Sequence, residues 1–324
     1  MKLRRAKKES GLHVELSAPQ GWISVTKVLT RMGFPDGPAA TRLSGDIVAL
    51  LGAEPDLLQR LTSAAADLDP ETTPDSAVVI PFEPRSFRDF MLYEAHAIAA
   101  ARGFVNAFMP GAARIVLAYE ALTGLVFPKL KPKPLWYRQP IYYMGNPLTV
   151  VTAGDAIAVP SYTQALDYEL ELGFVLAHPL RDASPEAAEA AIGGFVVLND
   201  FSARDVQADE MDSGFGPQKS KHFASAISKV VVSADEVLPR WRQLKGSVHL
   251  NGALIAQTST AGAKWSLGEL IAHASCGEQL YRGELFGSGT LPGGSGIETG
   301  HLLKSGDAIE IKIEGVGTLF NRVV

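Results

Sequence analysis

The sequence predicts an α+β protein, strand-rich, with a small N-terminal α/β domain over residues 1–75 and a larger second domain over residues 76–324. Three observations carry this expectation. From residue 148 onward short strand-like runs dominate: LTVVTAG, AIAVP, DYELELGFVLA, GGFVVLNDF, SKVVVS, GSVHLNGALIAQ and DAIEIKIEGVGTLFNRVV. Helical runs intervene without the regular strand–helix alternation of a parallel sheet. The polar, proline-bearing stretch DPETTPDS reads as a linker and sets the boundary near residue 75.

Taken in order, MKLRRAKKES is a basic run without the apolar stretch of a signal peptide, and reads as a solvated first strand or tail. LHVELSAPQGWISVTKVL gives short strands around a Pro-Gln-Gly turn. DIVALLGAEPDLLQRLTSAAADL has helical spacing interrupted near Pro55. SFRDFMLYEAHAIAAARGFV has helical spacing with Ser86 as a candidate N-cap. FPKLKPKPLWYRQPIYYMGNP is proline-rich and irregular. SPEAAEAAIGG and SLGELIAHAS read as helices, and Asn251-Gly252 in HLNGAL is a hairpin turn signal.

Composition narrows the function classes. The chain has 324 residues, 46% of them hydrophobic, enough for a sizeable core. Thirty basic against 35 acidic residues give a net charge of −5, so the basic footprint of a nucleic-acid binder is missing. No run approaches the ~20 apolar residues of a membrane span. The single cysteine, Cys276, allows no intrachain disulfide or cysteine-based zinc cluster; it reads as a buried small hydrophobe, and a reducing, cytoplasmic location is the default.

The chemistry concentrates in carboxylates. In DYELELGFVL, Glu169 and Glu171 share one face of an otherwise apolar strand. On an edge strand the pair would simply be solvated. The apolar continuation reads as buried, and burying two ionised carboxylates costs several kcal/mol each unless they are paired, protonated or bound to a cation. Oxygen ligands suit a hard divalent ion. GGFVVLNDFSARDVQ places Asp200 at the exit of a second buried strand, either as an Asx turn or as a further ligand. Arg204 and Gln207, three apart, would share a face of the next helical turn. Asp89 and His96, seven apart, would lie on one helix face, as a helix-end charge and a structural histidine or as site residues.

RDFMLYEAH, DYELELGFVL, NDFSARDVQ with a later lysine and SAIS, and LFGSGTLPGGSGIE together resemble the fumarylacetoacetate hydrolase family, over about residues 85–320. The resemblance implies a mixed β-sandwich or β-roll catalytic domain, with residues 1–75 as a counterpart of the small N-terminal domain that fumarylacetoacetases add. It implies a divalent metal, Mg²⁺ or else Ca²⁺ or Mn²⁺, held by Asp89, Glu169, Glu171 and Asp200. It implies His96 as general base oriented by Glu298, and Lys221 as the site lysine, with Lys219 two residues earlier as the runner-up. Tyr143, Arg204, Gln207 and Thr290 match substrate-contacting positions. A homodimer and a cytoplasmic role in aromatic catabolism are further implications.

On this resemblance the expected activity is hydrolysis of a carbon–carbon bond in a 1,3-dicarbonyl or 2,4-dioxo acid, a substrate like fumarylacetoacetate or an acylpyruvate. The alternatives are a decarboxylase, tautomerase or sugar-acid dehydratase on the same scaffold, or a non-catalytic metal-binding dimer. Met91, Val105 and Met211 replace a tyrosine, an arginine and a tyrosine of the family's pattern. They point away from fumarylacetoacetate itself and toward a more hydrophobic tail. Arg102, a turn and a half past His96, is a candidate replacement charge. The remaining histidines read as surface or structural, with His222 and His301 near the pocket rim.

Overall fold

The computed structural model describes all residues, 1–324. Its centre is a large mixed sheet. Neighbouring strands run in the order Gly21–Ser24, Gly11–Ala18, Lys2–Lys8, Val230–Ser233, Ile192–Asp200, Leu170–Leu176, Leu285–Gly287, Phe87–Phe90 and Tyr142–Gly145. The strand Ser225–Ile227 also pairs with Ile192–Asp200 and, in parallel, with Val150–Thr152. A five-stranded sheet, Ala253–Ser259, Lys245–Leu250, Ala308–Ile313, Gly317–Val323 and Ala156–Ile157, forms the second β layer.

Both faces of the large sheet are buried, and the period-two alternation of strands decides which side chain goes where. Phe174, Phe195, Val197, Val232 and Phe286 join the core shared with the five-stranded sheet. Their neighbours Val175, Val196, Leu198, Val231 and Leu285 join a second core under the N-terminal helices Val25–Arg31, Ile47–Leu51 and Pro55–Ala65. The central strands therefore read as continuous apolar runs rather than alternating ones.

The basic first segment is the first strand, as one of its two readings had it, but an interior one rather than a solvated one: Lys2–Lys8 pairs with Gly11–Ala18 on one side and Val230–Ser233 on the other. The stretch around residue 75 is irregular and polar, but the chain on either side of it shares one sheet and one core. The helix interrupted at Pro55 ends at Leu51 and restarts with Pro55 at its first position, where a missing N–H costs nothing. Asn251 and Gly252, at φ 52° and 83°, make the hairpin turn between Lys245–Leu250 and Ala253–Ser259. The helix Leu267–Ser275 starts on a capping box of Ser266 and Glu269. Cys276, expected inside, is exposed at the end of that helix.

One expectation fails where it matters. SFRDFMLYEAH is not a single helix capped at Ser86 but a strand, Phe87–Phe90, followed by a helix, Glu94–Phe108. The parallel ladder to Leu285–Gly287 and the antiparallel ladder to Tyr142–Gly145 supply long-range hydrogen bonds that outweigh the local helical pattern. Asp89 is thus a strand residue, and His96 sits in the first turn of the helix behind it.

Candidate active site

Strand register brings the carboxylates together. Asp89 shares the parity of Phe87, Asp200 that of Val196 and Leu198, and Glu171 that of Val175, so all three leave the same sheet face. Gly287 stands between two of them: it pairs with Asp89 on one side and with Gly173 on the other. A Cβ at Gly287 would fall on Asp89 Oδ1 and Glu171 Oε2, so the glycine leaves the space into which both carboxylates turn. Tyr143 lies beside Asp89 on the next strand, and its hydroxyl donates to Asp200 Oδ2 at 2.6 Å. Ser225, opposite Asp200, donates to Oδ1 at 3.0 Å.

Asp89, Glu171 and Asp200 each offer an oxygen within 4.8 Å of the others. All three are buried, and Asp89 Oδ1 and Glu171 Oε1 accept no hydrogen bond. Burial pushes both of those carboxyls well above the usual carboxylate range, and neighbouring carboxylates push further: Asp200 on Asp89, Asp89 on Glu171. Orphaned buried oxygens around a side-chain-free cradle, all of them hard donors, fit a divalent cation such as Mg²⁺, Mn²⁺ or Ca²⁺.

Glu169 is placed differently. Its Oε1 accepts from Arg204 Nη2 at 2.6 Å and its Oε2 from Lys221 Nζ at 2.5 Å, so it is paired with cations of the chain rather than grouped with the triad. Burial pushes its carboxyl up, but Lys221 and Arg204 outweigh burial and hold it below its ordinary value. Its backbone N–H is held by Asn199 Oδ1 at 2.9 Å. Lys221 also reaches Asp200 Oδ2 at 2.5 Å and so bridges Glu169 to the triad. Burial alone would lower the lysine's pKa, but Asp200 and Glu169 raise it above the ordinary value, and the ammonium stays charged. Lys219 is exposed, its ammonium over the ring of Tyr162.

His96 and Glu298 meet across the site. Nδ1 of the imidazole lies 2.9 Å from Glu298 Oε2, at an angle short of a full hydrogen bond, and both side chains are buried. Glu298 is fixed independently by Ser295 Oγ at 2.7 Å and by the backbone N–H groups of Ser295 and Gly293. His96 is among the neighbours that act on the Glu169 carboxyl, so the pair lies beside the carboxylates.

Of the expected substrate contacts, Tyr143 is in the row of carboxylates, and burial first and Asp200 second raise its phenol well above the ordinary value. Thr290 is buried just beyond the strand Leu285–Gly287. Arg204 is buried and donates to Asp167, Glu169 and Gln207. Met91 and Met211 are exposed and Val105 is half-buried. Arg102 is engaged with Glu120 at 2.8 Å, so it is not a free replacement charge. His222 is bound to the carbonyl of Met144 at 2.8 Å. Sequence reasoning missed Asp167, Asn199, Ser225, Ser295 and Gly287. Small or neutral residues give no local signal, and Asp167 read as strand register only.

A family model described as Fumarylacetoacetate (FAA) hydrolase C-terminal matches residues 113–324. Over 186 residues the chain is 32% identical to the oxaloacetate tautomerase YisK of Bacillus subtilis (strain 168), covering 57% of this chain and 61% of that protein. The match thus spans less than two thirds of that relative. Among solved structures, the fumarylacetoacetate hydrolase EaFAH from Exiguobacterium antarcticum superposes with a TM-score of 0.70 at 22% identity, covering 100% of this chain and 99% of that one. Fumarylpyruvate hydrolase from Pseudomonas aeruginosa, in complex with Mn²⁺ and pyruvate, gives a TM-score of 0.57 at 23% identity over 75% of this chain and 91% of that one. At these identities the two structures establish the fold.

Proposed function

The chain belongs to the fumarylacetoacetate hydrolase family, and from that premise we propose that it is a metal-dependent hydrolase of a carbon–carbon bond in a 1,3-dicarbonyl or 2,4-dioxo acid. The observation that carries this reading is the buried His96–Glu298 pair at 2.9 Å beside the carboxylate triad. Hydrolysis needs a base for water, and a carboxylate on one imidazole nitrogen fixes the tautomer and leaves the other free to take a proton.

Asp89, Glu171 and Asp200 would hold the cation, with Glu169 next to them. The cation, when bound, supplies Lewis-acid polarisation of the substrate's oxygens. The complex of fumarylpyruvate hydrolase with Mn²⁺ and pyruvate supports a divalent ion and a keto-acid fragment here. His96 takes a proton from water, and the water oxygen bonds to the distal carbonyl carbon. Lys221 has one N–H left after Glu169 and Asp200, and Gln207 keeps its amide N–H groups after accepting from Arg204. Those groups donate to the oxyanion. The carbon–carbon bond then breaks, the electron pair leaves on the departing fragment as an enolate, and the proton held by His96 passes to that carbon, which restores the base. Met91, Val105 and Met211 suit a substrate with an apolar tail rather than fumarylacetoacetate.

The test is turnover of a panel of acylpyruvates and β-diketones, with products identified by NMR, before and after EDTA. Two fragments formed only with metal is the expected result; undiminished turnover in fully metal-free protein sinks the reading. A second reading, tautomerisation of an oxaloacetate-like acid, is favoured by the 32% identity to the Bacillus tautomerase. It predicts keto–enol exchange with no fragment released.

A further inference from the structure

Asp167, which opens DYELEL, has no part in the chemistry above, yet it is fully buried and accepts four short hydrogen bonds. Its Oδ1 accepts from the backbone N–H groups of Tyr168 and Gly296, both at 2.7 Å. Its Oδ2 accepts from Arg204 Nε at 2.7 Å and from the backbone N–H of Ile297 at 2.9 Å. One side of this set is the Glu169 segment, because the same guanidinium donates to Glu169 at 2.6 Å. The other side is the loop that carries Glu298, because Gly296 and Ile297 immediately precede it.

That loop cannot place itself. The helical turn Gly296–Thr299 is four residues long and stops at Gly300 in the left-handed region, at φ 80°. A single turn fixes many dihedrals for few hydrogen bonds and needs anchors from outside. Two close approaches supply them. Gly103, in the helix that bears His96, lies so near the carbonyl of Ile297 that a Cβ there would collide with it. Gly296 lies so near Asp167 Oδ1 that a Cβ there would fall on it. The first contact seats the turn on the His96 helix; the second ties it to the carboxylate side of the site.

We propose that Asp167 is a positioning residue: it clamps the N–H groups of Gly296 and Ile297 to Arg204 and the Glu169 segment, and so holds the Glu298 carboxylate against His96 Nδ1. The assignment rests on the reading of His96 and Glu298 as base and partner. Asp167→Asn keeps the size of the side chain. Each oxygen of Asp167 already faces two N–H groups, so either orientation of the new amide sets donor against donor.

Three variants test it: Asp167→Asn, Glu298→Gln and the double. If Asp167 acts through Glu298, Asp167→Asn lowers kcat about 10²-fold through misplacement of the base, and the double variant is no slower than Glu298→Gln alone. A purely structural Asp167 makes the two losses multiply. A second readout needs no substrate. With ¹⁵N-labelled histidine, the ring-nitrogen shifts of His96 in metal-free protein at one pH move in the same direction in Asp167→Asn as in Glu298→Gln, and the double adds nothing. Multiplying losses, or unmoved His96 signals in folded Asp167→Asn, overturn the proposal. If the shift pattern holds while the wild type cleaves no dioxo acid, the reaction reading fails and the positioning role stands. Gly296→Ala presses on the same contact from the other side and serves if Asp167→Asn does not fold: His96 signals must move in it too, and wild-type signals overturn the proposal.

Discussion

Glu169, just before the strand Leu170–Leu176, and Glu171, within it, meet opposite environments. Glu169 has two cations of the chain against it, Arg204 and Lys221; Glu171 has another carboxylate, Asp89, and an oxygen with no donor. The pair is thus split between a compensated charge and one that waits for a counter-charge. Removing compensation is costly in a buried site: Lys221→Met leaves Glu169 short of a partner and should lower the stability of metal-free protein by about 3–5 kcal/mol in urea unfolding. A loss below ~1 kcal/mol, the size of an exposed pair, would contradict that burial argument. Glu171→Gln should abolish Mn²⁺ binding in calorimetry. His96→Asn should keep Mn²⁺ binding and lose turnover by about 10²–10⁴-fold, the usual contribution of a positioned base.

The candidate centre is a product of strand neighbours as much as of residues. Asp89, Gly287, Glu171 and Asp200 come from four adjacent strands and point to one face. Gly287→Ala removes no ligand but pushes Asp89 and Glu171 out of the space they share, so it should weaken Mn²⁺ binding; wild-type affinity in that variant would remove the cradle from the account. Glu15, in the strand Gly11–Ala18, gives a pH prediction of its own. Burial pushes its carboxyl up, but hydrogen bonds from Thr73 and Arg4 outweigh burial and hold it below its ordinary 4.5. A lowered folded value means a contribution fully present above about pH 4.5 and lost as the pH falls through the folded value. Glu15→Gln should therefore flatten the acid limb of stability against pH and lower stability at neutral pH. Much of this was legible beforehand. Two like charges in an apolar strand, an acid at a buried strand exit and a turn at Asn251-Gly252 are conflicts or signals inside short windows. The strand at Phe87–Phe90 was not, because four residues beside a long helix carry a helical pattern, and only pairing with Leu285–Gly287, far along the chain, makes them a strand. Asp167 was illegible for the same reason: its partners at Gly296 and Ile297 are brought to it by the fold.

At the scale of the whole molecule, no helix is long and apolar enough to cross a membrane. The helix Pro110–Thr123 and the turn after it nevertheless leave Ile115, Leu117, Leu122 and Leu125 more than half exposed. Ile115 and Leu122, seven apart, share one helix face; exposed apolar side chains there suit a covering partner, and we propose a second copy of the chain. Light scattering should give twice the chain mass, and Ile115→Glu with Leu122→Glu should return it to a monomer; a wild type that is already monomeric ends that reading. The interior position of the first strand has another consequence. Lys2–Lys8 is hydrogen-bonded to Val230–Ser233, so the large sheet cannot close until more than two thirds of the chain has left the ribosome. Until then one strand edge and the apolar helices behind it stand without their partner. Loop closure over that span is slow, and an open edge recruits other chains. Refolding yield should fall steeply with protein concentration, and the first seven-residue strand sets how long the molecule stays vulnerable.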